Sequence, residues 1–334
     1  MKNYVKLGTS GLQVSRLCLG TMMFGDQTNA TEAASIVTAA IDHDVNFIDT
    51  ADVYTKGASE SMLGPILKGQ RNRFVLASKL GNKMSDLPNE AGYSRSWMMR
   101  AVEGSLKRLD TDYLDVYYMH RDNPGMDIEE PVRVMGDLIA QGKIRTWGLS
   151  NFRGWRIAQV VEMARKLNVP QPVVCQPYYN LLNRMPEVEI LPACDEYGLA
   201  VVPYSPIARG VLTGKYQPGV KPPEGSRAGR NDSRILETEF RPESLLVAQA
   251  LRERAAQLGV GLQHYACAWV LKNKIITSVI AGPRTLEQWL DYFACLDVKL
   301  TEDDEKLVDS LVKPGHPSSP GYNDPSYPFL GRLA

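Results

Sequence analysis

The chain has 334 residues, 44% of them hydrophobic, enough for a sizeable core and for one large α/β domain. Its 38 basic and 38 acidic side chains cancel, which removes the electrostatic case for a nucleic acid or an anionic membrane as partner. Five scattered cysteines (Cys18, Cys175, Cys194, Cys267 and Cys295), with no C-x-x-C pair, read as buried thiols of a reducing cytosol, not as disulfides or a metal site.

In chain order, the opening MKNYVKLGTSGLQ lacks the apolar run of a signal peptide, and no later stretch approaches the ~18 apolar residues of a membrane span. Residues 4–14 read as a small hairpin with Gly8 and Gly11 in its turn. RLCLGTMMFG gives a strand, with Met22, Met23 and Phe24 just past its end. Ala33, Ile36, Val37, Ala40 and Ile41 then recur at helical spacing. A strand at 46–49, a helix at 59–67 and a strand at 74–79 follow. The polar loop 81–95 precedes a helix with Met98, Val102, Leu106 and Leu109 on one face. Next come strand 115–119, helix 128–140 with Gly142 at its cap, and strand 144–149 ending at Ser150–Asn151. Helix 155–167, strand 173–176, helix 186–197 and strand 200–204 lead into a long irregular segment, 205–241. Helices at 242–258 and 263–272, strand 277–280, and helices at 285–296 and 301–311 complete the pattern.

These are eight strand-then-helix units, mostly ~25–35 residues apart, which is the pattern of an α/β fold of the (β/α)8 TIM-barrel type. The expectation is a single barrel domain, 1–334, with an N-terminal β-hairpin and extra C-terminal helices. A doubly wound sheet would carry G-x-G-x-x-G after its first strand, and none occurs.

Four polar residues stand where apolar runs stop. Asp49 closes VNFID, Lys79 closes FVLASK, His120 closes LDVYYMH, and Tyr54 lies five residues past Asp49. A parallel barrel brings the C-terminal ends of its strands to one mouth, so all four should converge there. A lone polar residue at a strand end often just caps a loop, but three at successive ends with a tyrosine beside them suit proton transfer to a carbonyl oxygen. Tyrosine, of pKa about 10, is a weak acid until a neighbouring ammonium favours its phenolate. An Asp would hold that Lys, and a His would orient the carbonyl. None of the four can supply a hydride, so a cofactor must.

The segments LGTSGLQVSRLCLGT, FIDTADVY, FVLASK, SLKRLDTDYLDVYYMH, GKIRTWGLSNF, QPYYNLLNR, VVPYSPIARGVLTGKY and SVIAGPRTLEQ resemble the aldo-keto reductases over nearly the whole chain. The branch resembled includes potassium-channel β subunits and bacterial sugar or pyridoxal reductases. The resemblance implies a catalytic tetrad of Asp49, Tyr54, Lys79 and His120. It places the nicotinamide carboxamide on Ser150, Asn151 and Gln176, with Tyr204 stacked on the ring. It gives the pyrophosphate to Ser205, Leu212, Gly214 and Lys215, and the adenosine end to Gly282, Arg284 and Gln288, where the last barrel helix offers its N-terminus to an anion. Gly20, Thr21, Met22, Asp49, Pro206, Ile207, Ala208, Arg227 and Asp291 complete the implied cofactor site. Met23, Phe24, Tyr54, His120 and Arg121 form the implied substrate pocket, and no metal is expected. One departure stands out: relatives in this branch read Glu-Asn where this chain has Asp291–Tyr292, so Tyr292 either stacks on the adenine or simply packs.

The function implied is reversible, NADPH-dependent reduction of an aldehyde or ketone by a cytoplasmic protein, with NADH as the second donor and Arg284 reading the 2′-phosphate. One alternative is an NADPH-binding, redox-sensing regulatory subunit with weak turnover; another is a non-redox barrel enzyme acting on sugar phosphates. GVLTGK has three residues between its glycines where a phosphate-binding P-loop needs four, and Tyr216 follows its lysine. Thr285 to Gln288 also fits a helix capping box. Arg209, Lys215, Lys221, Arg227, Arg230 and Arg234 read as a cationic lid over a diphosphate. Substrate choice belongs to the loops 81–95, 121–127 and 205–241 and to a tail carrying Tyr322, Tyr327 and Phe329. Neither the substrate nor the oligomeric state is legible in the residues.

Overall fold

The computed structural model describes residues 4–328. Phe329 lies outside the described residues. The hairpin comes first, with β1 (Tyr4–Lys6) antiparallel to β2 (Gln13–Ser15). Eight parallel strands follow: β3 (Leu17–Gly20), β4 (Phe47–Asp49), β5 (Val75–Leu80), β6 (Leu114–Met119), β7 (Ile144–Ser150), β8 (Val174–Gln176), β9 (Ala200–Val201) and β10 (Val279–Ala281). Their order is β10-β3-β4-β5-β6-β7-β8-β9. A bridge from Val201 to Ile276, with the Thr277 N–H donating to the Val201 carbonyl at 2.8 Å, joins β9 to the approach to β10 and closes the (β/α)8 ring.

The helices are α1 (Ala30–Asp42), α2 (Ala58–Leu67), α3 (Arg95–Leu109), α4 (Glu129–Ala140), α5 (Gly154–Lys166), α6 (Ile190–Tyr197), α7 (Ser233–Glu237), α8 (Pro242–Gln257), α9 (Leu262–Lys272), α10 (Leu286–Tyr292) and α11 (Glu302–Leu311). Local chemistry starts several of them. The Asn29 side chain accepts from the Glu32 N–H at the head of α1, and Thr301 with Asp304 forms a capping box on α11. Among the described residues, no helix is long and apolar enough to cross a membrane.

Every position of β5 and β6 is buried, as both faces of a parallel sheet must be. A polar side chain buried there without a partner costs free energy. Gly148 in β7 shows how close the strands lie: a Cβ there would stand 2.6 Å from the Val174 carbonyl oxygen.

Four elements differ from the sequence expectation, the first being α7, which lies within the segment 205–241 expected to be irregular. The strand expected at 200–204 ends at Val201, because Pro203 has no N–H to continue the ladder. The helix expected at 186–197 is a 3₁₀ turn, Met185–Glu187, and then α6, with Glu189 between them at φ −133°. The helix expected at 285–296 is α10 followed by a 3₁₀ turn, Phe293–Leu296.

The chain falls into two compact units. The first comprises the described residues up to Pro177, with Glu189–Val202 and Ile275–Asp291, and holds all ten strands found among the described residues. The second comprises Tyr178–Val188, Pro203–Lys274 and the described residues from Tyr292 on. Ion pairs run through the second unit. Arg184 meets Glu187 and Asp309 at 2.9 and 2.7 Å, and Arg209 meets Glu239 at 2.6 Å. Its tail is tied down by Arg234, 2.9 Å from Asp324, and by Arg241, stacked 3.8 Å over the Tyr322 ring.

Candidate active site

Because the barrel strands are parallel, their C-terminal residues share one end. Asp49 is the last residue of β4, Lys79 lies one residue from the end of β5, and His120 follows β6. Register holds them level, with Asp49 opposite Ala77 and Lys79 opposite Tyr118. Tyr54 opens a short turn, Tyr54–Gly57, between β4 and α2.

Lys79 is the centre of the group and is fully buried. Its ammonium donates to Asp49 Oδ1, to the Thr50 carbonyl at 2.7 Å and to the Tyr54 hydroxyl at 3.1 Å. The other Asp49 oxygen accepts from the Gln176 amide at 2.9 Å. Burial alone would push the Lys79 ammonium down; the Asp49 carboxylate and then Tyr54 outweigh it and hold it above the ordinary lysine value. Burial likewise pushes the Asp49 carboxyl up, against the pull of Lys79 and Gln176. The Tyr54 ring stands edge-on to His120, with centroids 5.9 Å apart. Burial, with Lys79 and Arg121 nearby, drives the His120 imidazole well below its usual range, so the ring is neutral at physiological pH. Its Nδ1 is buried without a hydrogen-bond partner.

The residues expected around a nicotinamide lie next to this group. The Ser150 hydroxyl donates to the Gln176 carbonyl at 2.9 Å, and the Asn151 amide donates to the His120 carbonyl at 2.9 Å. Asn151 holds a left-handed conformation at φ 59°. The Thr21 hydroxyl, at the end of β3, donates to the Asp49 carbonyl. Gly20 is so closed in that a Cβ would meet Ile280 Cγ2 at 2.6 Å. Of the apolar trio after β3, Met22 is 42% exposed, whereas Met23 and Phe24 are buried, so only Met22 presents an open face. Arg121 is exposed, and its N–H donates to the Tyr93 hydroxyl at 3.0 Å.

At the proposed adenosine end, Arg284 Nη1 donates to Gln27 Oε1 at 3.2 Å, and Gly282 and Asp291 are exposed. The Arg284 N–H donates to Gln288 Oε1 at 3.0 Å, one residue earlier than a standard capping box would have it. The Leu286 N–H is taken by the Glu32 carboxylate. The Leu286 and Gln288 N–H groups at the start of α10 are thus taken by the chain's own side chains, Glu32 and Thr285. Tyr292 is 8% exposed, which favours packing for that side chain.

In the second unit, Tyr204 stacks on Tyr178 with centroids 5.6 Å apart. Ser205, Ala208, Arg209, Gly210 and Gly214 all take positive φ, so 205–214 is a tightly wound turn; Pro206, Ile207 and Leu212 lie within it. Lys215 is exposed and its ammonium stands 5.3 Å over the Tyr216 ring. The expected cationic lid is partly neutralised: Arg209 pairs with Glu239, Arg227 with Asp232 at 3.5 Å, and Arg234 with Asp324. That leaves the lid reading weaker than a count of its cations implies.

Sequence reasoning passed over several groups behind the tetrad. Asp52 is 1% exposed, and neither carboxylate oxygen has a hydrogen-bond partner of normal geometry. Burial, then the charge of Glu60, pushes its carboxyl up to about 8. Glu60 is also buried; it accepts from Ser78 and forms an ion pair with Arg108 at 2.7 Å. The only sequence signal for Asp52 was FIDTADVY itself, which it shares with Asp49.

The family model described as "Aldo/keto reductase family" matches residues 16–313. A probable voltage-gated potassium channel subunit beta of Oryza sativa subsp. japonica is 37% identical over 319 residues, covering 93% of this chain and 96% of that protein. An uncharacterized oxidoreductase of Bacillus subtilis, YrpG, is 35% identical over 320 residues, covering 92% and 95%. A putative voltage-gated potassium channel subunit beta of Schizosaccharomyces pombe is 34% identical over 320 residues, covering 92% and 90%. With a parallel barrel whose strand ends gather an acid, a lysine, a phenol and a histidine, and with matches of this extent, the chain belongs to the aldo/keto reductase family of NAD(P)H-dependent oxidoreductases.

Proposed function

We propose that the chain catalyses the reversible, NADPH-dependent reduction of an aldehyde or ketone to an alcohol, with Tyr54 giving the proton. The observation that carries this is the fully buried Lys79 ammonium, held by Asp49 and 3.1 Å from the Tyr54 hydroxyl. An ammonium at that range favours the phenolate and so makes the phenol a better general acid. Neutral His120, edge-on to Tyr54, can donate one N–H to the same carbonyl oxygen and hold it in line.

The donor set fits a nicotinamide. Ser150, Asn151 and Gln176 bring a hydroxyl and two amides to adjacent strand ends, the mix of donors and acceptors that a carboxamide needs. A bound nicotinamide supplies the hydride, which no side chain here can. Arg284 is the candidate for the 2′-phosphate, because its planar fork can bond two phosphate oxygens.

The test is NADPH consumption by the purified protein across a panel of aldehydes, ketones and sugars, beginning with 4-nitrobenzaldehyde. Turnover with several carbonyls supports the reading. Tight NADPH binding with negligible turnover would replace it with a redox-sensing regulatory subunit, a second reading favoured by the channel-subunit names of the rice and fission-yeast relatives. No nicotinamide binding would exclude both.

A further inference from the structure

Tyr54 reaches α2 through three successive left-handed residues: Thr55 (φ 48°), Lys56 (φ 51°) and Gly57 (φ 91°). Glycine accepts that conformation freely, but a β-branched threonine is an outlier in it. A strained turn persists only where the structure fixes both of its ends. Tyr54 is one end. The other is the first turn of α2, where Ser59 and Glu60 are fully buried.

Ser59 makes the tighter set of contacts toward the site. Its hydroxyl donates to the Thr21 carbonyl at 2.8 Å, which leaves a lone pair for the Thr50 hydroxyl at 3.1 Å, and its oxygen lies 3.0 Å from the Thr21 hydroxyl oxygen. Those two threonines bracket Asp49. The Thr21 N–H donates to the Asp49 carbonyl at 3.0 Å, and the Thr50 carbonyl accepts from the Lys79 ammonium at 2.7 Å. One buried hydroxyl thus ties the helix that ends the Tyr54 turn to the backbone holding Asp49 and Lys79. Glu60 adds a second tie, to Ser78 beside Lys79 and to Arg108.

We propose that Ser59 is a positioning residue for the Tyr54–Lys79 pair: it locks α2 to the ends of β3 and β4, so that the strained turn delivers the phenol to the ammonium. This rests on the proposed role of Tyr54 as acid. The titratable groups shown beside the phenol are Lys79 and His120, with Asp49 behind Lys79.

The experiment compares the parent with Ser59→Ala, Thr50→Val and Thr50→Ser. It reads the ultraviolet titration of Tyr54 (each protein against its own Tyr54→Phe background), kcat/KM for 4-nitrobenzaldehyde against pH, and NADPH affinity by fluorescence quenching. For Ser59→Ala we expect kcat/KM to fall about five- to thirtyfold, with the phenolate titration and the alkaline limb both moving up by about half to one pH unit, because a loosened ammonium favours the phenolate less. NADPH affinity should change less than kcat/KM does, since Ser59 reaches the implied cofactor site only through its bonds to Thr21. Thr50→Val should show part of the same loss, and Thr50→Ser, which keeps the hydroxyl, should restore most of it. A Ser59→Ala protein that loses only thermal stability, with titration and limb unmoved, overturns the proposal. Should that variant fail to fold, equal behaviour of Thr50→Val and Thr50→Ser overturns it as well. A parent without carbonyl reduction would refute the functional reading instead, and the phenolate titration would still decide the role of Ser59.

Discussion

Replacing Lys79 by Met keeps much of the side chain's length and removes its charge, with two separable consequences. The first is catalytic: Tyr54 loses the ammonium 3.1 Å from its hydroxyl, and losing a tuned general acid costs on the order of 10²–10⁴-fold. The second is a stability effect with a pH signature. Asp49 is left buried with only the Gln176 amide on its carboxylate, and breaking a buried ion pair costs about 3–5 kcal/mol. In the variant, burial acts on Asp49 without the lysine that now lowers it, so its folded pKa rises further. A raised carboxyl holds a proton that the unfolded chain has released above about pH 4, so stability falls as pH rises through that window. Lys79 in the parent is held above the ordinary lysine value, so its contribution is complete below about pH 10 and adds no slope at neutral pH. The deficit of Lys79→Met against the parent, from urea unfolding, should therefore be small at pH 5 and approach the full cost at pH 8. An equal deficit at both values, or kcat/KM within threefold of the parent, would refute the ion-pair reasoning.

Tyr54→Phe should lose about 10²–10⁴-fold in kcat/KM while NADPH affinity by fluorescence quenching is largely kept. Asp52→Asn tests the buried acid behind the site, which faces Glu60, Arg108, Lys79, Tyr93 and Tyr117. A rise from 3.8 to about 8 makes the parent lose on the order of 5 kcal/mol of stability as pH climbs from about 4 to about 8, at about 1.36 kcal/mol per pH unit. The variant should lack that slope, and parallel urea curves for the two proteins would show that Asp52 is ionised throughout. Arg284→Ala should raise KM for NADPH about 10–100-fold, the equivalent of about 1.5–3 kcal/mol for a charge-assisted hydrogen bond, and leave NADH nearly untouched. Equal effects on both cofactors would place the 2′-phosphate elsewhere.

The residues that sequence alone makes legible share one property: each breaks a local pattern. Lys79 interrupts a strand whose every position is buried, and His120 and Asp49 end such runs, so periodicity and the parallel barrel bring them to one mouth without any contact being known. The stripes that set α1 and α3 are local in the same way, whereas the breaks within 186–197 and 285–296 are not, because no Gly or Pro marks the residues between the pieces. Partners chosen across the fold leave no such trace. Gln176 reaches Asp49 over 127 residues, and Ser59 reaches Thr21 over 38, yet in the sequence one is an amide at a strand end and the other a serine near a helix start. Cations show the limit most sharply. Arg209 and Arg284 look alike as basic residues near a presumed phosphate path, but Arg209 is buried against Glu239, whereas Arg284 Nη1 meets a neutral amide. A guanidinium already neutralised by a buried carboxylate would have to break that pair to bind a phosphate, leaving Glu239 uncompensated at a cost of about 3–5 kcal/mol. Arg284 carries no such penalty, which makes the comparison of NADPH with NADH more informative in Arg284→Ala than in a substitution of Arg209.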